Sequence, residues 1–291
     1  MARRPPAART AFGPMFVTAL EQYTPPEHRI VTDPLAPRIL PTGLRLAALL
    51  GRSGWLRRQL ENGSERTARG LWGGLLCRKR YVRDQVGRAL AEGIEQVVVL
   101  GAGLDTLAAG VVVPTGVPVF EVDMPENIAT KRERLRAVLG EIPAKLHLVE
   151  VRFGEQDLAT TLAEHGFRAE TPTVFVWEAV SQYLTEDAVR QVLSFLGTAA
   201  IGSRLLFTFV RRDYLDGTEM YGAAALHKRY VEGGVWHFAI EPSEVDGLLR
   251  EYGWAEQEQV GPAEYADRYL RPAGRDLPAT EIERFVSAER R

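Results

Sequence analysis

The chain has 291 residues, 45% hydrophobic and 25% charged, which is ordinary usage for a globular protein with a sizeable core and excludes disordered, collagen-like and coiled-coil chains. Its 36 lysines and arginines stand against 38 acids, a formal charge of −2, so no global field gathers nucleic acid or an anionic membrane, and any basic patch is local. The single cysteine, Cys77, makes no internal disulfide and no cysteine metal site, which points to a reducing, cytoplasmic setting and a buried thiol.

Residues 1–9 (MARRPPAAR) lack the apolar segment of a signal peptide, and a disordered tail is expected there. From 10 to 90 the chain is rich in Ala, Leu and Arg between breaks at Pro25, Pro26, Pro34, Pro37 and Pro41, and reads as a helical lead-in. Its most apolar stretch, 44–50, contains Arg45 and falls far short of the roughly 20 residues of a membrane span. The first strong strand is 96–100 (QVVVL), a continuous apolar run of the kind buried on both faces of a parallel sheet. Similar runs recur at 118–122, 146–151, 173–177 and 204–210, with helix-length segments between them. Pro125 opens one such helix, and Thr185 caps another whose Val189, Val192, Leu193 and Leu196 form an apolar stripe. Between 211 and 236 lies a glycine-containing, aromatic connection longer than an αβ loop needs, which reads as a lid or substrate wall. Pro242 starts a further helix ended by Gly253, and strands at 254–260 and 281–288 suit an antiparallel pair closing the sheet. The pattern is α/β, with a tail and helical cap over 1–90 and a core over 91–291 carrying the lid at about 211–240.

Chemistry gathers where the first strand ends. Leu100-Gly101-Ala102-Gly103-Leu104-Asp105-Thr106 permits a tight turn and a close backbone approach to a nucleotide-like cofactor. A dinucleotide fingerprint wants glycine where Thr106 stands. The second strand carries Glu121 and Asp123 about 20 residues past the first glycine, where a carboxylate accepts both ribose hydroxyls of NAD or S-adenosylmethionine alike. Ahead of the first strand, the cluster Arg78-Lys79-Arg80 offers a guanidinium for a free amino-acid carboxylate, a group that S-adenosylmethionine has and NAD lacks.

Taken together with Asp33-Pro34-Leu35-Ala36, Trp177-Glu178, Gln182-Tyr183-Leu184, WHFAIEP from Trp236 and RYLRPAGR from Arg268, these segments resemble the leucine carboxyl methyltransferase family in its bacterial branch. The resemblance spans nearly the whole chain and implies a Rossmann-like class I methyltransferase sheet of seven mostly parallel strands, the last antiparallel. It implies S-adenosylmethionine as cofactor, with Arg78 on its carboxylate and Arg80 as a neighbouring candidate. Gly101 and Gly103 would line its methionine and ribose, and Asp123 would bind the ribose hydroxyls. Asp157 and Leu158 would contact adenine, Glu178 would face the amino group, and Tyr183 would sit near the transferred methyl. Asp105 and Glu121 are counted with the cofactor set. One departure is that Leu107 and Gly110 stand where relatives often carry arginines.

The activated donor asks the protein chiefly to place an oxygen nucleophile in line and to exclude water. No histidine has metal spacing or marks itself as a base, His227 and His237 at the lid being the nearest candidates, and no metal is expected. Tyr214, Tyr221, Tyr230, Trp236 and His237 are candidates for the wall of an apolar acceptor pocket. The expected reaction is O-methylation of a carboxyl or hydroxyl of a small molecule, such as a polyketide or other secondary metabolite. The rival readings are methylation of a protein's terminal carboxylate, an NAD-dependent oxidoreductase and a non-catalytic cofactor-binding protein. A nucleic-acid or membrane partner is not expected, and oligomeric state is open.

Overall fold

The computed structural model describes residues 12–291; the tail expected over 1–9 lies outside them. Seven strands form one sheet in the order β3-β2-β1-β4-β5-β7-β6: β1 Gln96–Leu100, β2 Val119–Asp123, β3 Leu146–Glu150, β4 Thr173–Trp177, β5 Arg204–Val210, β6 Trp254–Val260 and β7 Glu283–Arg290. The first five run parallel, and β7 lies antiparallel between β5 and β6. The last strand is thus the reversed one, as the resemblance implied. It begins two residues later than the apolar pattern suggested.

Every residue of β1, β2 and β4 is buried, which is why β1 and β4 read as nearly continuous apolar runs instead of alternating ones, while β2 is broken by the buried acids Glu121 and Asp123. Helices cover both faces. On one face the Glu186–Leu196 helix lays down the predicted stripe, its start fixed by Thr185 Oγ1 accepting the Ala188 N–H at 3.3 Å. On the other, the Leu71–Ala91 helix runs between the sheet and the lead-in, with residues of both sharing one continuous apolar core. The lead-in is helical as expected, through Phe12–Glu21, Ala36–Ile39, Thr42–Ala48 and Gly54–Thr67. Pro242 opens a single 3-10 turn before the Val245–Glu251 helix, and residues 211–240 contain the short helices Arg212–Leu215 and Ala224–Tyr230.

The neighbours of β1 are β2 on one side and β4 on the other, so the chain's course reverses there and the strand ends splay into a crevice. No helix among the described residues is long and apolar enough to cross a membrane.

Candidate active site

At the carboxyl ends of β1, β2 and β4 lies a cavity of about 280 Å³. Its floor is the turn 100–105. Gly101 adopts φ +70°, and a Cβ there would stand 2.3 Å from Val180 Cγ2, so only glycine lets this turn meet the segment after β4. The Gly101 and Ala102 N–H groups donate to the Val122 carbonyl at 2.7 and 3.1 Å, fastening the turn to β2. Asp123, at the tip of β2, accepts the Gly103 N–H at 2.6 Å on one oxygen and the Met124 N–H and Asn127 Nδ2 at 2.7 and 2.9 Å on the other. Burial pushes its carboxyl above the usual range, with those three donors working against the shift.

The opposite wall is charged. Arg78 Nε donates to Glu178 Oε1 at 2.8 Å and its Nη1 to Glu283 of β7; Lys79 Nζ pairs with Asp105 and lies 2.8 Å from the same Glu178 oxygen. All five side chains are largely buried, and two cations face three carboxylates. Burial works against the charge on Arg78 and Lys79, yet their acidic partners raise both above their ordinary values. Burial likewise works against ionisation of Asp105, but Lys79 and Arg83 outweigh it and hold the carboxyl well below the usual carboxylate range. Glu178 follows the last residue of β4, and Ala179 after it is held at φ +57°, a conformation that costs a non-glycine residue about 1–2 kcal/mol. The Ala179 N–H donating to Thr208 Oγ1 at 2.8 Å helps to fix it. Strain stored beside a cavity is characteristic of functional sites. A second buried knot, Asp33 with Arg83 and the Thr106 hydroxyl, ties the lead-in to the glycine turn.

The remaining walls are Pro14 and Met15 from the lead-in, Arg152, Phe153 and Glu155 after β3, and Val180, Tyr183 and Leu184 after β4. Tyr183 lies in the turn Ser181–Tyr183, its ring 6.4 Å edge-on from Trp236.

A profile of the family described as leucine carboxyl methyltransferase matches residues 11–197. The chain belongs to the leucine carboxyl methyltransferase family. A Mycolicibacterium gilvum protein assigned by name to the S-adenosyl-L-methionine-dependent methyltransferases is 30% identical over 258 residues, 83% of this chain and 82% of its own. A Frankia alni protein with the same assignment is 31% identical over 257 residues, 84% and 81% of the two chains. Among solved structures, a Streptomyces avermitilis protein of a family known by number aligns with TM-score 0.57 at 16% identity, over 81% of this chain and 91% of that one. A Thermobifida fusca protein described as a methyltransferase aligns at TM-score 0.55 and 17% identity, over 81% and 88%. This chain is therefore an S-adenosylmethionine-dependent methyltransferase, with the sheet of that enzyme class.

Of the residues singled out in the sequence of this methyltransferase, the cavity brings together Arg78, Gly101, Gly103, Asp105, Asp123, Glu178 and Tyr183. It does not bring Arg80, Glu121, Asp157 or Leu158 to its wall. Arg80, two positions along the helix from Arg78, points away and pairs with Asp84 at 2.8 Å over the Tyr269 ring. Glu121 lies on the same face of β2 as Asp123 but two residues short of the strand's tip, and it forms a buried pair with Lys131 at 2.5 Å beneath the glycine turn. Asp157 is spent as the cap of the Leu158–Glu164 helix, accepting from the Ala159 and Thr160 N–H groups, and Leu158 is buried in the core. Of the lid set, Tyr214, Tyr221, Tyr230, Trp236 and His237 all lie off the cavity lining. Trp236 stacks on Tyr230 at 5.2 Å, leans on Tyr214 and reaches Tyr183; His237 donates its backbone N–H to the Gln182 carbonyl. Tyr221 is turned to Asp213 and Arg211, and His227 is buried edge-on to Tyr214. Lining residues not foreseen include Asn127, Phe153 and Met15, while Lys79 stands out in the sequence only as a member of the basic cluster. The signal for Asn127 was its place four residues after Asp123, one helical turn on. Met15 carried no signal, because only the tertiary fold brings the lead-in over the crevice. Among the described residues no cluster of three His, Cys, Asp or Glu side chains is arranged to hold a metal ion.

Proposed function

We propose that this methyltransferase transfers its methyl group to a carboxyl or hydroxyl oxygen of a small molecule, plausible acceptors being polyketides or other secondary metabolites. The residues present suit the donor: Asp123, with three of its acceptor sites taken by Gly103, Met124 and Asn127, keeps one on Oδ2 for a ribose hydroxyl, Glu178 offers an oxygen to an ammonium, and Arg78 has Nη2 left for a carboxylate once Nε and Nη1 are engaged. When bound, S-adenosylmethionine supplies an already activated methyl group. The chain's own task is then to orient the acceptor oxygen and to keep water out.

The observation that carries the reading is the contact between Tyr183, on the cavity, and Trp236, in the lid. It joins the cofactor cavity to an aromatic wall of Tyr214, Tyr230 and Trp236 that suits a compact, largely apolar acceptor. In this reading residues up to 90 act as a cap and 211–240 as a lid, while Tyr183 positions the acceptor. No histidine base is placed on the cavity, which favours a carboxylate, nucleophilic without deprotonation, or a hydroxyl of low pKa.

The test is a methyl-transfer assay with labelled donor against phenols, small carboxylic acids and a peptide ending in leucine, with the product then treated with alkali. Alkali-stable label on a phenol or alkali-labile label on a small acid is expected. Label confined to the peptide would overturn the reading.

A further inference from the structure

The Thr42–Ala48 helix and the turn Leu49–Arg52 that continues it are built inside out. Ala48 and Gly51 are buried, Gly51 against Leu20 and Tyr23, and Leu44 packs on the core. Leu46, Leu49 and Leu50 face water instead, Leu46 at 60% and Leu50 at 52% exposure. The Gly54–Thr67 helix that follows has no buried residue, and its Trp55 is 62% exposed. Apart from Ile201, every large hydrophobic exposed among the described residues falls between positions 46 and 60. Burying leucines in place of alanine and glycine would favour folding, so their outward placement marks a surface that is covered by something else.

The charges on this face are of one sign. Arg45, Arg52, Arg58 and Arg66 are exposed, whereas the two acids of the segment turn inward: Glu61 pairs with Arg275 at 3.0 Å and Glu65 accepts the Gly70 N–H at 2.7 Å. A chain of net charge −2 thus carries a local face of arginines and leucines with no exposed acid between 42 and 67.

We propose that this face docks on an anionic lipid bilayer, its leucines and indole entering the headgroup boundary and its arginines meeting the phosphates. A second copy of the chain fits poorly, since it would bring arginines onto arginines. Residues 1–11 carry Arg3, Arg4 and Arg9 and no acid, so they too repel the face. An acidic protein is disfavoured because protein interfaces gather apolar residues at the centre and charges at the rim, whereas here the two types alternate at 45, 46, 49, 50, 52, 55 and 58. The docking face and the cavity share a helix: Phe12–Glu21 supplies Met15 to the cavity and Leu20 to the packing of Gly51. The proposal holds whichever oxygen is methylated.

The experiment is co-sedimentation of the full chain with vesicles of phosphatidylcholine alone or mixed with phosphatidylglycerol, across a salt series. The expected result is binding to the anionic vesicles that salt weakens. It should fall about tenfold or more in both Arg45→Glu/Arg58→Glu and Leu46→Ser/Leu50→Ser, with S-adenosylmethionine affinity unchanged. Absence of binding to anionic vesicles, or binding that neither double variant disturbs, overturns the proposal. So does self-association abolished by the leucine variant, which assigns the face to a second copy, or equally tight binding of polyglutamate, which assigns it to an acidic protein.

Discussion

Arg78 and Lys79 are adjacent on one helix and share Glu178, but each holds a second carboxylate of its own, Glu283 for the forked guanidinium and Asp105 for the ammonium. Arg78→Ala therefore removes the group proposed for the cofactor carboxylate and also takes one cation from Glu178 and Glu283. Affinity for S-adenosylmethionine, read by calorimetric titration, is expected to drop tenfold or more, in line with the ~1.5–3 kcal/mol of a hydrogen bond to a charged group. Arg78→Lys keeps the charge without the fork and should recover only part of it. Glu121 makes a different case. Burial pushes its carboxyl up to about 7, with Lys131 working against the shift, so the unfolded chain sheds this proton at lower pH than the folded one. The stability it contributes is whole below about 4.5 and is lost as pH rises through 7. In Glu121→Leu/Lys131→Met, urea midpoints should lose that part of the pH slope, and the double variant should cost less than either single change, each worth about 3–5 kcal/mol. The two acids share one face of β2, and the sequence alone does not separate them; the tip position puts Asp123 on the cavity, while Lys131, ten residues on, claims Glu121.

At the scale of elements, the strands were legible because burial on both faces removes polar residues from them, and the caps were legible because Thr185 and Pro125 solve a local backbone problem. Asp157 shows the limit: a cap and an adenine contact require the same residue type at the same place, and the helix has the nearer claim. The aromatic residues of 211–236 stand out in the sequence but their order in space does not, since only the fold decides that Trp236 is the ring meeting Tyr183. The Leu71–Ala91 helix hides its main constraint. A Cβ on Gly73 would lie 2.2 Å from the Pro278 carbonyl oxygen, so the segment before β7 crosses the helix at backbone contact. In an exposed helix Gly→Ala gains about 0.5–1 kcal/mol. Here Gly73→Ala is expected to lose about 1–3 kcal/mol through overpacking, seen as a lower denaturation midpoint.

For the whole molecule, the cavity draws its walls from the lead-in, β1, β2, β4 and the segments after β3 and β4, so a ligand seated there is linked to the fold. A ligand that binds only this assembled state stabilises it by about 2.7 kcal/mol at a hundredfold excess over its dissociation constant. Thermal unfolding with S-adenosylmethionine at that excess should shift upward by about 5–10 °C, and NADH should leave it unmoved. The family could be read from separated motifs, but the outward leucines of 46–50 could not, since an apolar run in a helix reads as core until the fold shows which way it faces.

Glu283, on the last strand, is one of the two acids that hold Arg78. A ribosome delivers residues in order, at about 5–20 each second, so a nascent chain complete to β5 displays the glycine turn and Asp123 long before it owns the carboxylate that steadies Arg78. The buried charge cluster beside the cavity is thus complete only when synthesis has passed residue 283, and a chain released early lacks Arg78's second carboxylate however well its first five strands have formed.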